Sequence, residues 1–202
     1  MFKLGITGGI GSGKTTATSY LKKKHVFVFD ADKEAKYHLQ NSISLQHKIS
    51  NAFGADLKIK PGSINLKELG RRAFLNKKEQ SILNGIMWPE IYILIEKKII
   101  SVENKYKIFI VDAALIFEAN LQNLFDEILL ITADEEIRIN RSSNRLNLPK
   151  TQIKNRLKLQ IDEEKKKCLS NHVIENNGTI RELTKKLRIF YSEILRVKIT
   201  SK

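Results

Sequence analysis

Over 202 residues, 36 Lys+Arg against 22 Asp+Glu give a formal net charge of +14, with 42% hydrophobic and 29% charged residues. That is too apolar for a disordered basic tail, and the length suits one full-sized core with a small insertion better than two independent domains. A single cysteine, Cys168, excludes an intramolecular disulfide framework and a four-cysteine zinc site, which points to a reducing compartment.

From Met1 the chain runs directly into an apolar segment at residues 2–7, too short for a signal peptide or a membrane span, so a cytoplasmic protein without membrane partners is expected. A glycine-rich loop follows, then a helical pattern over residues 14–24. Residues 26–29 form a second strand, leading into a helix at 33–40. Further helices are expected at 66–75, behind Ser63 and Asn65, and at 89–101, opening with Pro89 in its first turn. Strands recur at 108–111, 128–131 and 173–174, all apolar at consecutive positions, as strands covered on both faces are. In the last helix Ile180, Leu183, Leu187, Phe190 and Ile194 repeat at spacings of three and four, which puts them on one face against the sheet.

Strands alternating with helices predict an α/β, doubly wound sheet of five parallel strands with its ligand at the carboxyl ends. Two stretches do not fit the sheet. Residues 40–105 are too long for a simple crossover and read as a helical substrate-binding insertion. Residues 137–168 are two charged helical segments divided by Pro149, with little apolar content, and read as a mobile lid. The core is then 1–39, 106–136 and 169–202.

Four of the ten glycines fall in Gly8-Gly9-Ile10-Gly11-Ser12-Gly13-Lys14-Thr15, a complete G-x-x-x-x-G-K-[ST]. Glycines let the backbone curl so that its N–H groups face phosphate oxygens, and the following helix adds its positive end. Lys14 would reach the β- and γ-phosphates and the Thr15 hydroxyl would hold Mg²⁺. The strand before and the helix after supply the context the motif requires. The glycines do not spell G-x-G-x-x-G, because Lys14 stands where the third glycine would be, so a dinucleotide site is excluded. A GTPase is disfavoured too, since the nearest string to its base reader, Asn76-Lys77-Lys78-Glu79, ends in the wrong residue.

The second strand ends in Val28-Phe29-Asp30-Ala31-Asp32. Asp32, supported by Asp30, could accept or orient an acceptor hydroxyl; it could equally be a helix N-cap. Arg138, Arg141 and Arg145 share a helix face at i, i+3, i+7, suited to phosphates or a base, or to solvent alone. Asp112 closes the third apolar strand, where it could reach magnesium through water or cap the next segment, and Glu118 follows. The positive charge is scattered, and Lys outnumbers Arg by 27 to 9, so no nucleic-acid partner is expected.

These residues resemble the dephospho-coenzyme A kinase family along nearly the whole chain. Gly5-Ile6-Thr7 with the loop through Thr16 is similar to the family's opening, and Asp30-Ala31-Asp32 with Ala35 to its second-strand signature. Phe53-Gly54, Arg71-Arg72 and Phe74 resemble its insertion; Arg141 and Arg145 its lid arginines; Arg156 and Gln160 its second lid helix; and residues 173–178, through Asn176 and Gly178, its terminal strand and adenine-side loop. The resemblance implies transfer of the ATP γ-phosphoryl group to the ribose 3′-hydroxyl of dephospho-coenzyme A, the last step of coenzyme A synthesis. It implies a nucleotide held by Gly9, Gly11, Ser12, Gly13, Lys14, Thr15 and Thr16 with Arg145, Asn176 and Gly178, catalysis by Asp32, Lys14 and Arg141, and Mg²⁺ on Thr15 and Asp112. A monomer or weak homo-oligomer is expected. The chain departs from the family at Trp88-Pro89, where His-Pro is usual, at Ala114, where proline is usual, and at Leu146, where an acid is usual. The alternatives are a P-loop kinase of another small hydroxylated metabolite, and an ATPase acting on nucleic acid.

Overall fold

A computed structural model of the protein describes residues 1–60 and 62–195. The chain divides into two compact units, residues 1–30 with 98–202, and residues 31–97.

The first unit is built on a parallel sheet of five strands, β1 (Phe2–Thr7), β2 (Phe27–Asp30), β5 (Ile108–Asp112), β6 (Glu127–Thr132) and β7 (His172–Glu175), in the order β2-β5-β1-β6-β7. All five predicted strands are present, each within two residues of its expected limits. β1 is central because β5 and β6 both pair with it, Ile6 against Asp112 on one side and Leu129 on the other. The order places β5 between β1 and β2, so Asp30 stands in register with Asp112. Phe2, Leu4 and Ile6 point to one face, where α1 (Lys14–Leu21) and α9 (Ile180–Ile189) cover them with Ala17, Leu21, Leu183, Leu187 and Phe190. Over the opposite face, Ile116 and Phe125 close on Gly5. Consecutive burial of Ile108, Phe109, Ile110 and Val111 follows from cover on both faces.

The expected face of the last helix is correct at Leu183, Leu187 and Phe190 but not at Ile180, which is 71% exposed. Ile180 is the first helical residue, directly after the Thr179/Glu182 capping box, where the chain is still entering the helix from solvent. The side chain of Ile194 lies outside the described residues.

The second unit holds α2 (Ala31–Asn41), α3 (Ile43–Phe53), a short antiparallel hairpin of β3 (Lys58–Lys60) and β4 (Ser63–Ile64), α4 (Leu66–Ala73) and most of α5 (Lys77–Val102). This unit, residues 31–97, overlaps the stretch 40–105 expected to be inserted, and its hairpin was not expected. Leu39, Leu45, Ile49, Phe53, Leu57, Ile64 and Leu69 form a core of its own. The helix expected to open at Pro89 opens twelve residues earlier. Pro89 sits inside α5, and the carbonyl deprived of its partner is that of Gly85. Met87 and Ile95 of the same helix are buried.

Arg72 ties this unit together. It donates to the Phe53 carbonyl at 2.6 Å, to Glu68 at 2.8 Å and to both oxygens of Asp56, while Arg71 holds Glu68 at 2.7 and 2.8 Å. Hydrogen bonds from Arg71 and then Arg72 hold the Glu68 carboxyl down from its ordinary 4.5 to about 2. A depressed carboxylate stabilises the fold above its unfolded pKa and loses that contribution as pH falls through the folded value. We therefore expect this unit to weaken as pH drops from 4.5 towards 2, and Glu68→Gln to flatten that pH dependence in acid-melting curves while leaving stability above pH 6 lower than that of the unsubstituted chain.

Candidate active site

The glycine loop joins β1 to α1 at the carboxyl end of the sheet. Gly11 and Gly13 have φ of +80° and +97°, a left-handed backbone that L side chains rarely adopt, so these two residues set the curl. Within it the Ser12 N–H donates to the Gly9 carbonyl at 3.1 Å. Gly13 is also the N-cap of α1; no side chain caps the helix and no acid lies in its first turn, which leaves the positive end of the helix facing the loop. The Ser12 hydroxyl is buried without a hydrogen-bond partner among the described residues.

The Lys14 ammonium donates to Asp112 at the end of β5, an ion pair whose side chains are 13% and 7% exposed. The other Asp112 oxygen accepts from the Thr18 hydroxyl at 2.7 Å. Thr18, one turn along α1 from Lys14, was not singled out in the sequence; its part depends on a strand 94 residues away. Both Asp112 oxygens thus accept from side chains of α1. Thr15 and Thr16 are exposed on the first turn of α1.

Asn176 reaches the same loop: its side-chain amide donates to the Ser12 carbonyl at 2.8 Å. Arg141 donates to the carbonyls of Asn176 and Gly178 at 2.7 and 2.9 Å. Both arms of its fork are therefore on the β7–α9 loop, and the three arginines do not act as one face. Arg138 is buried, Arg141 half-buried and Arg145 exposed.

The stretch expected to be a lid contains α6 (Glu135–Leu146), α7 (Lys150–Lys158) and α8 (Glu163–Leu169). Charged side chains meet at its far end. Lys166 is fully buried 3.5 Å from Glu118, and the same Glu118 oxygen accepts the Ile161 N–H at 3.0 Å. No sequence spacing joins residues 118 and 166, which is why this pair was invisible.

Asp32 lies in the second unit. α2 begins at Ala31, immediately after the last residue of β2, so Asp32 is inside the first turn and is not the N-cap. Asp30 and Asp32 are both exposed. For Mg²⁺ the available protein donors are oxygens, the Thr15 hydroxyl and the Asp112 carboxylate, which suit a hard cation that retains water and phosphate oxygens. Among the described residues no cluster of three or more His, Cys, Asp or Glu could form an all-protein metal cage, and no helix is long and apolar enough to cross a membrane.

A sequence model of the family described as dephospho-CoA kinase matches residues 2–182. A dephospho-CoA kinase from Fusobacterium nucleatum is 34% identical over 191 residues, covering 95% of this chain and 97% of its own. Among solved structures, a Thermus thermophilus protein superposes with a TM-score of 0.78 at 25% identity, covering 96% of this chain and 97% of its own. The dephospho-CoA kinase from Campylobacter jejuni superposes with a TM-score of 0.64 at 29% identity, covering 95% and 97%. With its phosphate loop on a five-stranded parallel sheet and a match running almost from end to end, the chain belongs to the dephospho-CoA kinase family of ATP-dependent kinases.

Proposed function

We propose that this chain transfers the γ-phosphoryl group of ATP to the ribose 3′-hydroxyl of dephospho-CoA through a phosphate loop centred on Lys14, with Asp32 serving the acceptor. One observation carries the reading: an uncapped helix start, two left-handed glycines and a lysine seated on a buried aspartate converge at one turn. The amides of Gly9, Gly11, Ser12, Gly13, Thr15 and Thr16 surround the polyphosphate, and Lys14 meets the charge that develops on the group in transit. The Thr15 hydroxyl and the Asp112 carboxylate would hold Mg²⁺, which would supply charge neutralisation at the phosphate oxygens. Asp32 accepts or orients the 3′-hydroxyl proton. Because phosphoryl transfer passes through a loose transition state, the chain contributes mostly alignment and electrostatics.

The arginines divide the remaining work. Arg141, immobilised on two backbone carbonyls, orders the Asn176–Gly178 loop and offers its planar face on the adenine side. Arg145, one turn further and exposed, joins the nucleotide-binding set, and Arg141 is the arginine whose charge serves the transferring group.

The test is ADP release with a panel of acceptors. Dephospho-CoA is expected to raise release by about 100-fold or more over the acceptor-free rate, in line with positioned phosphoryl transfer, with a 3′-phosphorylated product by ³¹P NMR. Shikimate, nucleosides and oligonucleotides are expected to leave the rate near its acceptor-free level. Stimulation by any of these in place of dephospho-CoA overturns the assignment.

A further inference from the structure

A second charged assembly, not used in the roles above, holds the phosphate loop from the side. Arg138 in α6 is only 6% exposed, and a guanidinium is seldom buried so far unless paired. Its Nη1 donates to Glu163 Oε2 at 2.9 Å, and Glu163 Oε1 accepts from the Thr132 hydroxyl at 2.5 Å. Thr132 is the last residue of β6, so this row of contacts begins in the sheet.

Arg138 meets the loop twice. A side-chain carbon placed on Gly9 would run into Arg138 Nη1, and one placed on Gly11 would run into the Arg138 carbonyl. The carbon on Gly9 would also lie 3.2 Å from Gln160 Oε1 and 3.4 Å from Glu163 Oε2. Arg138 Nε is buried without a hydrogen-bond partner among the described residues, so one carboxylate fixes the fork while a donor remains unused. A Glu163 carboxylate this close to a loop that receives polyphosphate would repel its ligand unless a cation stood against it.

We propose that Arg138 is a positioning residue for the polyphosphate: aimed by Glu163 and Thr132, it braces Gly9 and Gly11 and cancels the Glu163 charge beside them. The inference rests on the reading of this loop as the ATP site. It makes the loop's affinity for a β-phosphate depend on an ion pair formed between two helices that the sequence assigns to a lid.

The test is calorimetric binding of ADP and of AMP to the full chain, because only ADP carries the β-phosphate. Arg138→Met is expected to weaken ADP about tenfold or more and AMP less than about twofold, as for truncation of one partner of a buried charge pair. Adding Glu163→Gln to Arg138→Met is expected to recover most of that loss, since the unpaired carboxylate has gone; Arg138→Lys is expected to fall between. In turnover assays KM for ATP should rise with KM for dephospho-CoA unmoved. Unchanged ADP affinity in folded Arg138→Met overturns the proposal, as does equal weakening of ADP and AMP, which marks a general brace. If Arg138→Met does not fold, Arg138→Lys and the double variant carry the same comparison. The binding assay contains no acceptor, so unsubstituted protein that binds ADP but does not phosphorylate dephospho-CoA removes the substrate assignment and leaves this proposal standing.

Discussion

Lys14→Met is expected to lower kcat by on the order of 10³-fold, the scale for deleting one preorganised charge that meets a developing anion. The side chain leaves the first turn of α1 and ends on Asp112, which holds its ammonium at the base of the loop. Preorganisation of this kind removes the reorganisation that a mobile cation would have to undergo during the reaction. Methionine keeps the length and loses the charge. Asp112 would then be buried with the Thr18 hydroxyl as its donor, so the melting temperature is expected to fall as well. The double variant Lys14→Met/Asp112→Asn should recover much of the stability, which assigns the melting change to the unpaired carboxylate. Thermal melting of both variants and single-turnover transfer by Lys14→Met well below its melting temperature check this, and full activity in folded Lys14→Met would show that Lys14 acts through the fold alone.

The second large effect is expected from Asp32→Asn, with turnover reduced by about 10²–10⁴-fold, the usual contribution of a positioned acid or base. Asp32 is exposed in the first turn of α2 and Ala31 opens that helix, and asparagine keeps the shape of the side chain while removing its charge. On the proposed division of roles, with the phosphate loop on ATP and Asp32 on the acceptor, ATP affinity by calorimetry is expected to stay within about twofold. Loss of ATP binding in parallel with turnover would instead assign Asp32 to the nucleotide.

The elements whose evidence is local were the legible ones. Strands β1, β2, β5, β6 and β7 could be placed because burial on both faces demands consecutive apolar residues, and the phosphate loop because its glycines must lie within a few positions of Lys14. Errors arose where a local rule met a tertiary arrangement. Proline usually opens a helix, yet Pro89 lies inside α5, a helix that also carries the buried Met87 and Ile95. Low apolar content in residues 137–168 gave no hint of the Lys166–Glu118 and Arg138–Glu163 pairs made there. The helix pitch placed three arginines on one face, but each meets different surroundings along it.

By itself, then, the order of amino acids determined the parallel sheet, the phosphate loop and the family, since each is written in neighbouring residues or in strings that survive comparison. Only the tertiary structure decided which partner each charged side chain takes: Lys14 with Asp112, Arg141 with the Asn176–Gly178 carbonyls, Arg138 with Glu163. An ion pair has no periodicity, and its members can lie anywhere the chain brings them together, here 98, 35 to 37 and 25 residues apart.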